Sequence, residues 1–146
     1  MYFSEPRAHA VPLFTSSKML PLNMLYVETV SSIMFDVSCL TVPTNISNLF
    51  TKAKEKHNHE TRFSSSCNFY INRSRLNQNH GSFANKFGAK LWNSICDKLR
   101  QLPKRAFKKH INDMLFSLLE AEDYYVESPI LLQKIHNYRA NTEFNL

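Results

Sequence analysis

Glycine is nearly missing from this chain: its 146 residues include two, Gly81 and Gly88. Tight turns must therefore be built from other residues, and Asn, Asp, Ser and Pro are the expected ones. Cysteine is scarce too. Cys39, Cys67 and Cys96 are odd in number, widely spaced and form no Cys-x-x-Cys pair. That argues against a disulfide framework and for reduced thiols in a cytoplasmic or nuclear setting. No apolar run approaches the roughly 18 residues that would span a bilayer. Met1 to Pro12 is polar, is broken by Pro6 and Pro12, and lacks the pattern of a secretory leader. The chain is therefore read as soluble, not secreted and without a membrane partner. Asn45-Ile46-Ser47 and Asn72-Arg73-Ser74 then count as chance glycosylation matches.

Acidic residues are missing from the centre. Between Phe50 and His110 lie 14 of the 18 basic residues but Glu55, Glu60 and Asp97 alone among the 12 acids. The whole chain has a net charge of +6, yet this stretch carries +11 and the flanks are acidic. A basic segment with so few acids suits a polyanion, and the competing reading is a solvated basic face.

Catalytic signatures are missing as well. There is no Gly-x-Ser-x-Gly, no phosphate-binding glycine loop and no dinucleotide fingerprint. Two-metal nucleotidyl transfer needs clustered carboxylates to hold the metals that stabilise the attacking and leaving oxygens. The one adjacent acidic pair, Glu122-Asp123, falls at the end of a helical pattern instead. His57, His59 and Cys67 lack a fourth ligand at zinc-site spacing. No enzyme, cofactor, metal or small-molecule substrate is expected.

What the chain does contain is enough apolar residue for a core: 43% hydrophobic, with 12% aromatic. The expected fold is mostly α (α+β), with several amphipathic helices and one small β-hairpin near residues 63–87. Residues 1–17 are read as an irregular lead-in, 18–138 as a single region and 139–146 as a tail. A helix is expected to start near Pro21 and end before Pro43. Its apolar face is expected to be Leu22, Leu25, Tyr26, Thr29, Val30, Ile33, Met34 and Val37. Thr44 is expected to cap a short helix that buries Ile46, Leu49 and Phe50. Lys52 to Arg62 reads as a charged connector. Phe63, Cys67, Phe69 and Ile71 share a period of two, which points to a strand around Asn68 to Arg73. A turn at Asn77 to Gly81 would lead into a return strand over 82–87.

Gly88 then bends the chain into a short helix around Leu91, Trp92 and Ile95. Phe107, Ile111, Met114, Leu115, Leu118 and Leu119 form a clear helical stripe. That helix carries Lys104, Arg105, Lys108 and Lys109 at its positive end, against its dipole, so the cluster is expected to answer to something outside the helix. A last short helix over 128–138 presents Ile130, Leu131 and Ile135.

The candidate nucleic-acid contacts are Arg62, Arg73, Arg75, Lys86, Lys90, Lys104, Arg105, Lys108 and Lys109. Arg62, Arg73 and Arg75 flank Phe63, Phe69 and Tyr70, while Lys86 and Lys90 flank Phe87 and Trp92. Cations beside aromatic rings suit RNA or single-stranded DNA. The alternative is that the rings form the core, and for Trp92 and Phe107 the core reading is preferred.

Several short motifs occur in a set order: Leu20-Pro21-Leu22, Met34 and Asp36, Pro43 with Asn45-Ile46, Leu49-Phe50, His57 and Thr61-Arg62, Asn68-Phe69-Tyr70, Ser82-Phe83, Trp92-Asn93-Ser94-Ile95, Leu102-Pro103-Lys104, Phe107-Lys108, and Glu122-Asp123 with Tyr125-Val126. In this order and spacing the chain resembles the region after the polymerase domain in non-LTR (LINE-type, jockey-like) retrotransposon reverse transcriptases. The resemblance spans about Leu20 to Leu132. It implies a parent protein that copies RNA into DNA, with that family's metal-binding Asp residues upstream of Met1. It also implies a non-catalytic segment, able to hold RNA or single-stranded DNA or to dock on an upstream polymerase domain. The alternatives are a helical protein-interaction module or a remnant with no activity of its own. Two departures stand out. The family often has His-x-Tyr-Asn-Thr-Arg where this chain has His57 to Arg62, and it usually has Pro where Cys96 follows Ile95.

Overall fold

The computed structural model describes residues 11–56, 59–71, 87–120 and residue 135. The described residues form eight helices: α1 (Val11–Ser16), α2 (Leu22–Ser38), α3 (Thr44–Ser47), α4 (Ala53–Lys56), α5 (Arg62–Ser65), α6 (Gly88–Ser94), α7 (Asp97–Arg100) and α8 (Lys104–Glu120). They include no β-sheet, and the fold is mostly α.

The long helices α2 and α8 are the frame. α8 buries Phe107, Ile111, Met114, Leu115, Leu118 and Leu119, the stripe expected from its spacing. Fully burying a large apolar side chain is worth roughly 1.5–3 kcal/mol, so this face dominates its energetics. α2 starts at Pro21, whose carbonyl accepts from the Leu25 N–H at 2.8 Å. Its buried face differs from the expected one. Met24, Val27, Val30, Ser31, Met34, Phe35 and Val37 are buried, whereas Leu22 is 83% exposed and Leu25, Tyr26 and Thr29 also face outward. The helix is apolar on most sides, so two stripes compete and periodicity alone does not choose between them. The chosen stripe contains a polar residue, and the Ser31 hydroxyl is satisfied by donating to the Val27 carbonyl at 2.8 Å.

Between these helices α6 inserts Trp92, which is 1% exposed. Its ring lies 6.3 Å from Phe35, 6.1 Å from Phe107 and 6.3 Å from Phe69, and Phe69 continues the row to Phe50 at 5.8 Å. These tilted and edge-on contacts add about 0.5–1.5 kcal/mol per pair beyond area burial. Trp92 and Phe107 are core residues, as preferred from sequence.

Scarce glycine is met in an unexpected way. Among the described residues positive φ falls on Lys18 (50°), Leu40 (57°) and Cys67 (52°), not on Asn, Asp or Ser. Each follows a helix end. After α2, the Leu40 N–H reaches the Val37 carbonyl at 3.2 Å and the Thr41 N–H reaches Asp36 at 3.0 Å. After α1, Lys18 and Met19 repeat this arrangement onto Thr15 and Phe14. These are Schellman closures with a side chain where glycine is usual, at a cost of about 1–2 kcal/mol each. After α5, the Asn68 side chain donates to the Phe63 carbonyl at 2.9 Å.

Several local expectations change. Val11–Ser16 is helical, where the sequence pattern suggests an irregular lead-in. α3 is preceded by Pro43 with no side-chain cap, and Leu49 is exposed. The connector contains α4 and, at Thr61, a reciprocal capping box with Ser64 that starts α5. The described part of the expected hairpin is a helical turn followed by one antiparallel bridge, Lys52 with Phe69. The turn at 77–81, Arg73, Arg75, Lys86, His57, Glu122-Asp123 and the tail lie outside the described residues, as does the return strand over 82–87 except Phe87, which is helical (φ −67°, ψ −50°) and leads into α6 instead of ending a strand. So does the expected last helix apart from Ile135, which is helical and buried.

Candidate nucleic-acid interface

The described basic residues of α5 to α8 sort into three groups. Arg62 on α5, Lys90 on α6, and Arg105 and Lys109 on α8 are exposed and form no ion pair with another described residue. Lys98 on α7, not singled out from the sequence, is like them.

The second group is paired across the frame. Lys104 Nζ lies 2.7 Å from Asp36 Oδ2, and Lys108 Nζ lies 3.2 Å from Glu28 Oε1. Pairing 36 with 104 and 28 with 108 makes α2 and α8 antiparallel. It also accounts for the cations at the positive end of α8: two of the four answer to carboxylates of the neighbouring helix. A surface pair contributes about 0–1 kcal/mol, so this is a matter of register more than of strength. For nucleic-acid contact it halves the α8 cluster, leaving Arg105 and Lys109, spaced i and i+4 on one side of the helix.

Arg100 is the third group. The sequence marks it as one more cation, but its side chain is 6% exposed. The guanidinium donates to the Ser66 carbonyl at 2.9 Å, to Asn68 Oδ1 at 3.0 Å and to the Trp92 carbonyl at 2.7 Å. It pairs with Asp97 at 3.1 Å and lies 5.2 Å from the Trp92 ring centroid, within cation–π range. The planar fork ties α5, α6 and α7 together in a way lysine cannot copy. Charge patterning carries no sign of this role.

Asn93 makes the companion set of bonds. The Phe69 N–H donates to Asn93 Oδ1 at 2.9 Å, and Asn93 Nδ2 donates to the Phe69 carbonyl at 2.8 Å. Trp92 Nε1 donates to the Cys67 carbonyl at 3.3 Å. The segments Asn68-Phe69-Tyr70 and Trp92-Asn93-Ser94-Ile95, far apart in sequence, are thus joined in space. After α6 the turn is made without proline: Cys96 takes φ −64°, an angle close to the one a proline ring imposes.

The aromatic residues divide likewise. Phe69, Phe87 and Trp92 are buried, which removes them as stacking platforms; Phe63 is exposed and Tyr70 half-buried. Among the described residues no three His, Cys, Asp or Glu side chains are grouped as a metal site requires, and no helix is long and apolar enough to cross a membrane. The three thiols are free. Compared with known protein families, curated proteins and solved structures, the chain matches none of them.

Proposed function

We propose that this chain is a non-catalytic segment of the non-LTR reverse-transcriptase type, and that it holds RNA or single-stranded DNA through its basic face. The observation that carries the binding reading is that the exposed cations of α5 to α8 outside the α2–α8 pairs, Arg62, Lys90, Lys98, Arg105 and Lys109, form no ion pair among the described residues. A cation with no carboxylate beside it releases counterions from a polyanion on contact, which is the main source of non-specific affinity. The ancestry rests on the ordered motifs. Two of them, Asn68-Phe69 and Trp92-Asn93, contact each other in this chain.

The test is fluorescence anisotropy of labelled single-stranded RNA and DNA with the purified chain across salt. With three or more phosphate contacts on a single strand, affinity should fall at least about tenfold between roughly 50 and 200 mM salt. No binding at low salt removes the activity and leaves the ancestry to be judged separately.

A second reading has its own observation. Met19, Leu22, Leu25 and Tyr26 form an exposed apolar surface at the start of α2, which suits docking on a protein such as an upstream polymerase domain. A monodisperse monomer that binds no apolar-surface dye would speak against it.

A further inference from the structure

A cavity of about 350 Å3 opens where α5 and α7 approach the segment leading into α4, and its walls include Lys52, Ser65, Ser66, Phe69, Trp92 and Arg100. Phe69 and Trp92 are almost wholly buried, so they supply a floor, not a platform for stacking. The charge of Arg100 is balanced by Asp97 at 3.1 Å. Lys52 pairs with no described carboxylate, so it is the cavity's uncompensated cation.

The hydroxyls add a second requirement. Ser65 Oγ shares its one proton between the carbonyls of Thr61 at 3.1 Å and Arg62 at 3.2 Å, and Ser66 Oγ donates to the Arg62 carbonyl at 2.7 Å. With their protons committed to α5, these oxygens offer lone pairs. A matching ligand is anionic toward Lys52 and donates hydrogen bonds toward the two serines. A nucleotide has both features, in its phosphate and in its ribose hydroxyl or base amino groups. A fully ionised inorganic anion lacks the donors, and an apolar compound lacks the charge.

The volume lies near the lower limit of the roughly 300–1,000 Å3 typical of small-ligand sites, which suits one nucleotide and excludes a duplex. The helices that wall the cavity also carry the exposed cations Arg62 and Lys98, placed to attract neighbouring phosphates of the same strand. We propose that this cavity takes one nucleotide of a single strand, with its phosphate on Lys52. The proposal rests on the nucleic-acid reading above and assigns its anchor point.

The experiment measures anisotropy of a labelled single-stranded RNA of about 12 nucleotides, within the roughly 4–16 nucleotides that single-strand-binding OB-folds cover, against the full chain and its Lys52→Gln and Lys52→Arg variants. Thermal midpoints verify that the variants are folded. Lys52→Gln should weaken binding about three- to tenfold at low salt and lower the salt slope by about 0.7, the share of one phosphate on a single strand; Lys52→Arg should restore both. If the native chain binds RNA and Lys52→Gln keeps its affinity and slope, the cavity is not the anchor, and the nucleic-acid reading stands without it. Uridine monophosphate binding as tightly as the strand would also overturn the proposal, by making this a free-nucleotide site. If the native chain binds no RNA at low salt, the nucleic-acid reading fails and the inference falls with it.

Discussion

The Asn93 carboxamide brackets the main chain of Phe69, accepting from its N–H at 2.9 Å and donating to its carbonyl at 2.8 Å. A neighbouring β-strand would supply the same pair of bonds. On the opposite edge real backbone does so: the Ala53 N–H reaches Asn68 at 2.8 Å and the Tyr70 N–H reaches Thr51 at 2.8 Å. Residues 68–70 are therefore strand-like, with one main-chain neighbour and one side-chain substitute. We predict that Asn93→Ala costs about 2–4 kcal/mol in urea unfolding, from two lost bonds and a buried N–H and carbonyl left unpaired. A loss under about 1 kcal/mol would mean that water replaces the amide.

Arg100 should matter for stability well beyond its charge. Arg100→Met removes three bonds to carbonyl oxygens and is expected to cost about 3 kcal/mol or more, since hydrogen bonds from a charged group are worth about 1.5–3 kcal/mol each. Arg100→Lys should still cost about 2 kcal/mol, because one ammonium cannot bridge the Ser66 and Trp92 carbonyls. Chemical denaturation of both variants measures this, and a neutral Arg100→Lys would refute the role of the fork.

The four cations of α8 should separate into two classes. Lys104→Ala and Lys108→Ala are expected to lower stability by up to about 1 kcal/mol each, less at high salt where their pairs are screened. Arg105→Ala and Lys109→Ala should leave stability within about 0.5 kcal/mol. They should instead lower the RNA salt slope by roughly 0.7 per cation removed. Equal behaviour of all four in both assays would contradict the pairing with Asp36 and Glu28.

The outward face of α2 gives a prediction about solubility. Leu22→Glu and Leu25→Lys are expected to leave the unfolding free energy within about 0.5 kcal/mol while reducing self-association in sedimentation velocity. A core substitution such as Phe107→Ala should cost about 3–5 kcal/mol by contrast. Destabilisation by Leu22→Glu on that larger scale would place this face in a core.

How much was legible from sequence depended on how one-sided each segment is. α8 alternates charge and apolar residues so sharply that its six buried positions follow from spacing. α2 is apolar on most sides, and its orientation was chosen by contacts with α6 and α8 that no local window contains. The period-two run at Phe63, Cys67, Phe69 and Ile71 pointed to a hairpin. The described part of it is a capped helical turn followed by a single bridge, because Thr61 and Ser64 close a capping box and Asn93 occupies one edge of Phe69. Among the candidate contacts, exposure of Arg62, Lys90, Arg105 and Lys109 followed from charge, whereas the pairing of Lys104 and Lys108 did not.

By itself the sequence determined a mostly helical fold, the inward face of α8, the core placement of Trp92 and Phe107, and a surplus of positive charge in the middle of the chain. These follow from composition and short-range periodicity, which act within one helix. The tertiary structure alone decided which face of α2 is buried, which cations are neutralised, and that Asn93 and Arg100 join segments 24 to 34 residues away. Such choices depend on long-range geometry. A carboxamide or guanidinium finds its partner only once the helices carrying it have packed, and nothing in its neighbours along the chain announces the match.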